Sequence, residues 1–142
     1  MTYKVMIVDD SVILQRVIHG LVSKWEDFEI VATAENGKKA LNELANHPDL
    51  SLILLDIEMP EMNGFEFLQR ARPLTPAKIV VLSSFVQIRS PNVSKALRLG
   101  ADAIVSKPFG APSLDLVKKR NAELEQTIKN ILASTTNGLF DN

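Results

Sequence analysis

The feature that most constrains the fold is an alternation. Short runs of β-branched and aliphatic residues are separated, from one end to the other, by longer stretches with helical apolar spacing. The strand-like runs are Lys4–Val8, Glu29–Thr33, Leu52–Leu55, Lys78–Leu82 and Ala103–Val105. Most are nearly continuous in apolar residues. A strand wetted on one face alternates apolar with polar, whereas one covered on both faces does not. The pattern therefore predicts βαβ units and a five-stranded parallel sheet with helices on both sides, a doubly wound α/β domain. In such folds ligands sit beyond the carboxyl ends of the strands, where the strand order reverses. Chemistry is to be sought in the residue just after each strand.

Five helices are expected between and after these strands. The first carries Leu14, Val17, Ile18, Leu21, Val22 and Trp25 as one apolar stripe. The second opens at Asn36 as N-cap and buries Ala40, Leu41 and Leu44. The third starts near Asn63 and ends before Pro73, because proline restricts the residue preceding it. The fourth follows Ser90 and Pro91 and closes at Gly100. The fifth starts near Ser113 and stays periodic to about Ala133, leaving Ser134 to Asn142 as a disordered tail beyond a domain spanning 1–133. This last helix is extended, since it would run roughly 31 Å while a typical strand covers only about 17–20 Å. Its seam of Leu114, Val117, Leu124, Ile128 and Ile131, with Asn121 at one seam position, allows two readings. It folds back on its own domain, or Leu124, Ile128 and Ile131 form a homodimer contact or a connector.

Composition narrows the functional classes. At 142 residues the chain can bury one sizeable core, and its 46% apolar and 23% charged residues are ordinary for a globular domain. A net charge of −1 gives no general affinity for nucleic acid or anionic membranes. The absence of cysteine excludes thiol catalysis and thiolate metal sites and fits a reducing, cytoplasmic setting. The opening MTYKVMIVDD is neither a signal peptide nor a membrane span.

Polar residues gather at the strand ends. The first strand is followed by Asp9 and Asp10, the third by Asp56, the fourth by Ser83 and Ser84, and the fifth, a residue further on, by Lys107. Singly, each has a plain reading: helix cap, turn former, loop hydroxyl, solvated lysine. Together they do not. Three carboxylates at one edge repel each other unless a cation or proton intervenes. Mg²⁺ suits such a place, because it prefers oxygen ligands and needs only one or two carboxylates. A carboxylate is also a phosphoryl acceptor. The transferring group spreads its charge over its oxygens, and a metal, an ammonium and a hydroxyl donor are what stabilise it. The strand ends supply one of each.

The runs around these residues carry a family likeness. Asp9–Asp10 after a strand, LLDIEMPEMNGFEFL around Asp56, VVLSS ending at Ser83–Ser84 and VSKPF around Lys107–Pro108 resemble, in order, the receiver domain of bacterial two-component response regulators. The likeness covers about residues 3 to 133, and SKPFGAPSLDL is most similar to the receiver of chemotaxis protein-glutamate methylesterases. It implies a flavodoxin-like strand order 2-1-3-4-5. It further implies a signalling module that takes a phosphoryl group onto Asp56 from a sensor histidine kinase or phosphotransfer protein, with Mg²⁺, and switches its surface. In that scheme Asp10 and Asp56 give Mg²⁺ its carboxylates, and Asp9 acts through a metal-bound water. The Glu58 backbone carbonyl completes the ligands. Lys107 holds a phosphoryl oxygen, Ser83 with Ser84 beside it forms the switch, and the Lys107–Pro108 peptide is cis. The pattern departs from the family at Ile104, where relatives carry Tyr or Phe that swings inward as the hydroxyl moves.

The rest is read plainly. His19 and His47 have no ligand pattern around them, Met59, Met62, Phe65 and Phe67 are packing residues, and Gly64 is a backbone position after a turn. A second class, a Mg²⁺-dependent phosphatase with an aspartyl-phosphate intermediate, shares the Asp, Ser, Lys and acidic pair. It resembles a D-x-D pattern in the first strand, not Asp56-Ile57-Glu58 in the third. A flavin carrier of like architecture is disfavoured by Asp9 and Asp10, since a flavin phosphate wants N–H donors. No G-x-S-x-G elbow is present, so no methylesterase activity is expected of this chain.

Overall fold

A computed structural model describes residues 2–57, 63–83, 91–107 and 113–140. The elements are β1 (Tyr3–Val8), α1 (Val12–Val22), β2 (Phe28–Ala34), α2 (Gly37–Asn46), β3 (Leu52–Asp56), α3 (Gly64–Ala71), a short 3₁₀ turn (Arg72–Leu74), β4 (Lys78–Ser83), α4 (Asn92–Arg98), β5 (Ala103–Ser106) and α5 (Leu114–Phe140). The strands pair in parallel in the order β2-β1-β3-β4-β5, so the chain reverses direction across the sheet between β1 and β3. All five expected strands are present, none displaced by more than a residue at either end.

The continuous apolar runs have the expected cause. Successive residues of a strand point to opposite faces. Met6, Val8, Ile53, Leu55, Ile79 and Val81 join one buried cluster with Ala40, Leu44, Phe67, Leu68 and Ala96, from α2, α3 and α4. Val5, Ile7, Leu52, Leu54, Val80 and Leu82 join another with Ile18, Val22, Leu124, Ile128 and Leu132, from α1 and α5. Two dry faces confine the charged and serine residues of the three central strands to their ends, Lys4 and Lys78 at one edge and Asp56 and Ser83 at the other.

Local signals explain most helix ends. The Asn36 and Asn63 side chains accept from Lys39 N and Glu66 N, opening α2 and α3. Past Ala71 the chain tightens into the 3₁₀ turn that contains Pro73. Gly100, at φ +116°, lets α4 stop and β5 begin. Arg72 secures that corner, donating to the carbonyls of Gly100, Thr75 and Ala77 and pairing with Asp102 at 3.2 Å.

Three expectations are corrected. First, α1 ends at Val22, and Trp25 is buried from the following turn, packing edge-on to Phe28. Amide bonds from Lys24 to Leu21 O and from Trp25 to Val22 O tighten the chain there. Val17 lies 43% exposed, because the stripe centres on Ile18 and Val22 and leaves it at the margin. Second, α5 runs to Phe140, past the end expected near Ala133. Third, of the two readings of its seam the fold-back holds from Leu124 on, while Leu114 in the first turn is 70% exposed. Leu124 and Ile128 are fully buried in the same cluster as Trp25, which with the half-buried Tyr3 and Phe28 prolongs the apolar floor. Leu124 and Ile128 are therefore not available as a dimer contact.

Candidate functional site

Because all five strands run parallel, their carboxyl ends share one edge, and the expected residues meet there. Carboxylate oxygens of Asp9, Asp10 and Asp56 all lie within 4.8 Å of one another. Asp9, Asp56 and Ser83 are buried, and Asp10 faces solvent. The Lys107 ammonium stands 3.2 Å from Asp56 Oδ1, with its side chain largely covered. The Lys107 amide donates to the Ser83 carbonyl at 2.8 Å, so the β4 and β5 ends carry lysine and serine side by side.

Neither Asp9 nor Asp10 caps α1. That role falls to Ser11, whose hydroxyl accepts from Leu14 N. Asp9 Oδ1 accepts from the Ser11 amide at 2.9 Å, while its Oδ2 is buried with no hydrogen-bond partner among the described residues. Burial pushes the Asp9 carboxyl above its ordinary value, against the pull of the Ser11 amide and Lys107, and Asp10 adds to the rise. An orphaned buried acceptor next to two more carboxylates is an all-oxygen donor set that suits a small hard cation. The residues present fit Mg²⁺.

Glu58, Ser84 and the Lys107–Pro108 peptide lie outside the described residues. Ile104 is half-buried beside the cluster of Ile79 and Val81. His19 Nδ1 lies 3.2 Å from Ser23 Oγ and His47 Nε2 3.3 Å from Glu43, each within its own helical turn.

Two further contributors did not stand out in the sequence as parts of the site. Gly64 is the point where α3 touches β3: a Cβ there would stand 2.5 Å from Ile57 Cα and 3.0 Å from the Asp56 carbonyl oxygen. Its signal was a glycine directly after the Asn63 cap. Gln15 donates its side-chain amide to the Asp9 carbonyl at 2.6 Å, and nothing in the sequence marks it out.

Fold and edge together define a class: a doubly wound α/β domain with a carboxylate cluster and a paired lysine at the strand-order reversal. Comparison with known proteins makes the class specific. Residues 5–118 match the family described as the response regulator receiver domain. The protein-glutamate methylesterase/protein-glutamine glutaminase of Geobacillus kaustophilus is 40% identical over 121 residues, covering 84% of this chain and 34% of that protein. The protein of the same description from Methanococcoides burtonii is 34% identical, with 94% of this chain and 37% of that one covered. The crystal structure of the response regulator domain of Thermotoga maritima CheB superposes with a TM-score of 0.81 at 28% identity, covering 94% of this chain and 98% of that one. A chain of the crystal structure of the P1 domain of CheA3 in complex with CheY6 from R. sphaeroides gives 0.78 at 44% identity, covering 92% and 97%.

The chain belongs to the response regulator receiver domain family. It thus has the family's role of phospho-acceptor in two-component signalling, and the phosphatase alternative is not favoured. It spans about a third of the length of the methylesterases it matches, and the matched region is their receiver part. Among the described residues no helix is long and apolar enough to cross a membrane.

Proposed function

We propose that this chain acts in the cytoplasm, that Asp56 is the phosphoryl acceptor, and that the group comes from the phosphohistidine of a sensor histidine kinase or phosphotransfer protein. The observation that carries this reading is the pairing of Asp56 with Lys107 at 3.2 Å inside a three-carboxylate cluster. An Asp56 oxygen attacks phosphorus, the P–N bond breaks, and its electron pair leaves with the donor imidazole. Lys107 then turns its ammonium from the carboxylate to a phosphoryl oxygen, and the Ser83 hydroxyl donates to another. Asp10 and Asp56, with the Glu58 carbonyl, would hold Mg²⁺, and Asp9 would act through a water. When bound, the ion neutralises charge on the phosphoryl oxygens. Movement at Ser83 is the switch, and Ile104 replaces the usual aromatic reporter with an aliphatic one. The chain itself performs only self-phosphorylation and autodephosphorylation, and its output is a changed surface. A homodimer through α5 would have to use that helix's outer side.

The test is intact-mass spectrometry after incubation with a small phosphodonor and Mg²⁺. The wild type should gain one phosphoryl group and Asp56→Asn none; equal labelling of both removes Asp56 from the role.

A further inference from the structure

We propose that Gln15 is a positioning residue for the acidic pair, fixing the Asp9–Asp10 peptide so that Asp10 meets Asp56 across the metal site. The inference rests on the reading of these carboxylates as the Mg²⁺ ligands. Mutual repulsion drives them apart, and Asp10, being exposed, could turn toward water. Something must hold the backbone that carries it. The paired registers of β1 with β2 and with β3 both stop at Val8, one residue short of Asp9. Beyond that point the Asp9 amide donates to the Ala34 carbonyl at 3.0 Å. The Gln15 amide, reaching down from α1, donates to the Asp9 carbonyl at 2.6 Å and lies 3.5 Å from the same Ala34 carbonyl. Both backbone polar groups of Asp9 are thereby tied to β2 and α1.

Planarity carries the constraint onward. The Asp9 carbonyl and the Asp10 nitrogen belong to one rigid peptide unit, so orienting the oxygen orients the bond to Asp10 Cα. Gln15 touches neither metal nor substrate in this scheme. It acts through the peptide, as outer partners of metal ligands do, and loss of such partners typically costs about 10–100-fold in metal affinity.

Isothermal calorimetry of the full 142-residue chain with Mg²⁺ tests this, with urea melts run in parallel. Gln15→Met keeps the length and removes the donor. Gln15→Asn keeps the amide but draws it back by one methylene, and it serves if the first variant fails to fold. Ser51→Ala is the control: it removes a 3.1 Å hydrogen bond to the Lys4 amide, at the far end of the same strand. Both Gln15 variants should bind Mg²⁺ about tenfold more weakly, and Ser51→Ala should bind like wild type whatever stability it loses. Gln15 variants that bind like wild type overturn the proposal, as does a Ser51→Ala that weakens binding equally. A wild-type chain that takes up no Mg²⁺ overturns the metal reading itself and this inference with it.

Discussion

The same substitution should have opposite signs at two glycines. At Gly64 a methyl group would stand 2.5 Å from Ile57 Cα and 3.0 Å from the carbonyl oxygens of Asp56 and Ile57. Carbon atoms rest about 3.5–4.0 Å apart, so α3 and the end of β3 must separate by roughly 1 Å. The obstructing atoms are backbone and cannot rotate aside. Overpacking of this kind costs about 1–3 kcal/mol, and alanine's helix preference returns less than about 1 kcal/mol at a first-turn position. Gly64→Ala should therefore lose about 1–2 kcal/mol. Gly20, in α1, has nothing within 4 Å of its would-be Cβ. Gly20→Ala should gain about 0.5–1 kcal/mol. Urea melts of both variants measure the signs. The strain at Gly64 falls on the Asp56 carbonyl, and a misplacement near 1 Å can cost up to about 100-fold in a positioned reaction. Labelling by a small phosphodonor should slow at least severalfold in Gly64→Ala and not in Gly20→Ala. A Gly64→Ala protein as stable as wild type and labelled at the same rate would refute the contact as the reason for glycine there.

Burial raises the Asp9 carboxyl in the native state. That favours the fold below the unfolded pKa and is lost as pH rises through the folded one, so without Mg²⁺ Asp9→Asn should be more stable than wild type at neutral pH. Urea melts at neutral and acidic pH should show the difference closing as the pH falls. Lys107→Ala removes a cation beside the cluster and should leave Mg²⁺ affinity equal or higher, while abolishing the conformational response to beryllofluoride; calorimetry and amide NMR read the two. Ile128→Glu places a charge at a fully buried position and should cost about 3–5 kcal/mol or prevent folding. Leu114→Glu, at 70% exposure, should stay within about 0.5 kcal/mol in the same melts.

The strands were legible because both faces are dry: apolar runs at Leu52–Leu55 and Lys78–Leu82 have no other ready explanation in a chain this size. Helices capped by Asn36 and Asn63 were legible because one side chain makes the cap. Asp9, Asp10, Asp56, Ser83 and Lys107 could be placed at one edge from strand polarity alone. What escaped were relations between elements. Whether α5's seam faced a partner or its own sheet depended on Trp25 and Phe28, whose inward turn follows the end of α1 and has no periodicity. Gln15 looks like any helical glutamine until the end of β1 is set beneath it. Val17 matches the helical stripe by spacing, yet the width of the groove above the sheet decides which members of a stripe are covered.

The inward seam of α5 also bears on how the chain is made. During synthesis Val5, Ile7, Leu52, Leu54, Val80 and Leu82 are all translated before the helix that shields them, and Leu124, Ile128 and Leu132 come last. Until those residues clear the ribosome, one side of the nascent sheet has only α1 over it. The family match stops at residue 118, six positions before Leu124. An expression fragment trimmed to the matched region would thus carry the acidic edge intact and leave an oily flank bare, inviting aggregation rather than independent folding.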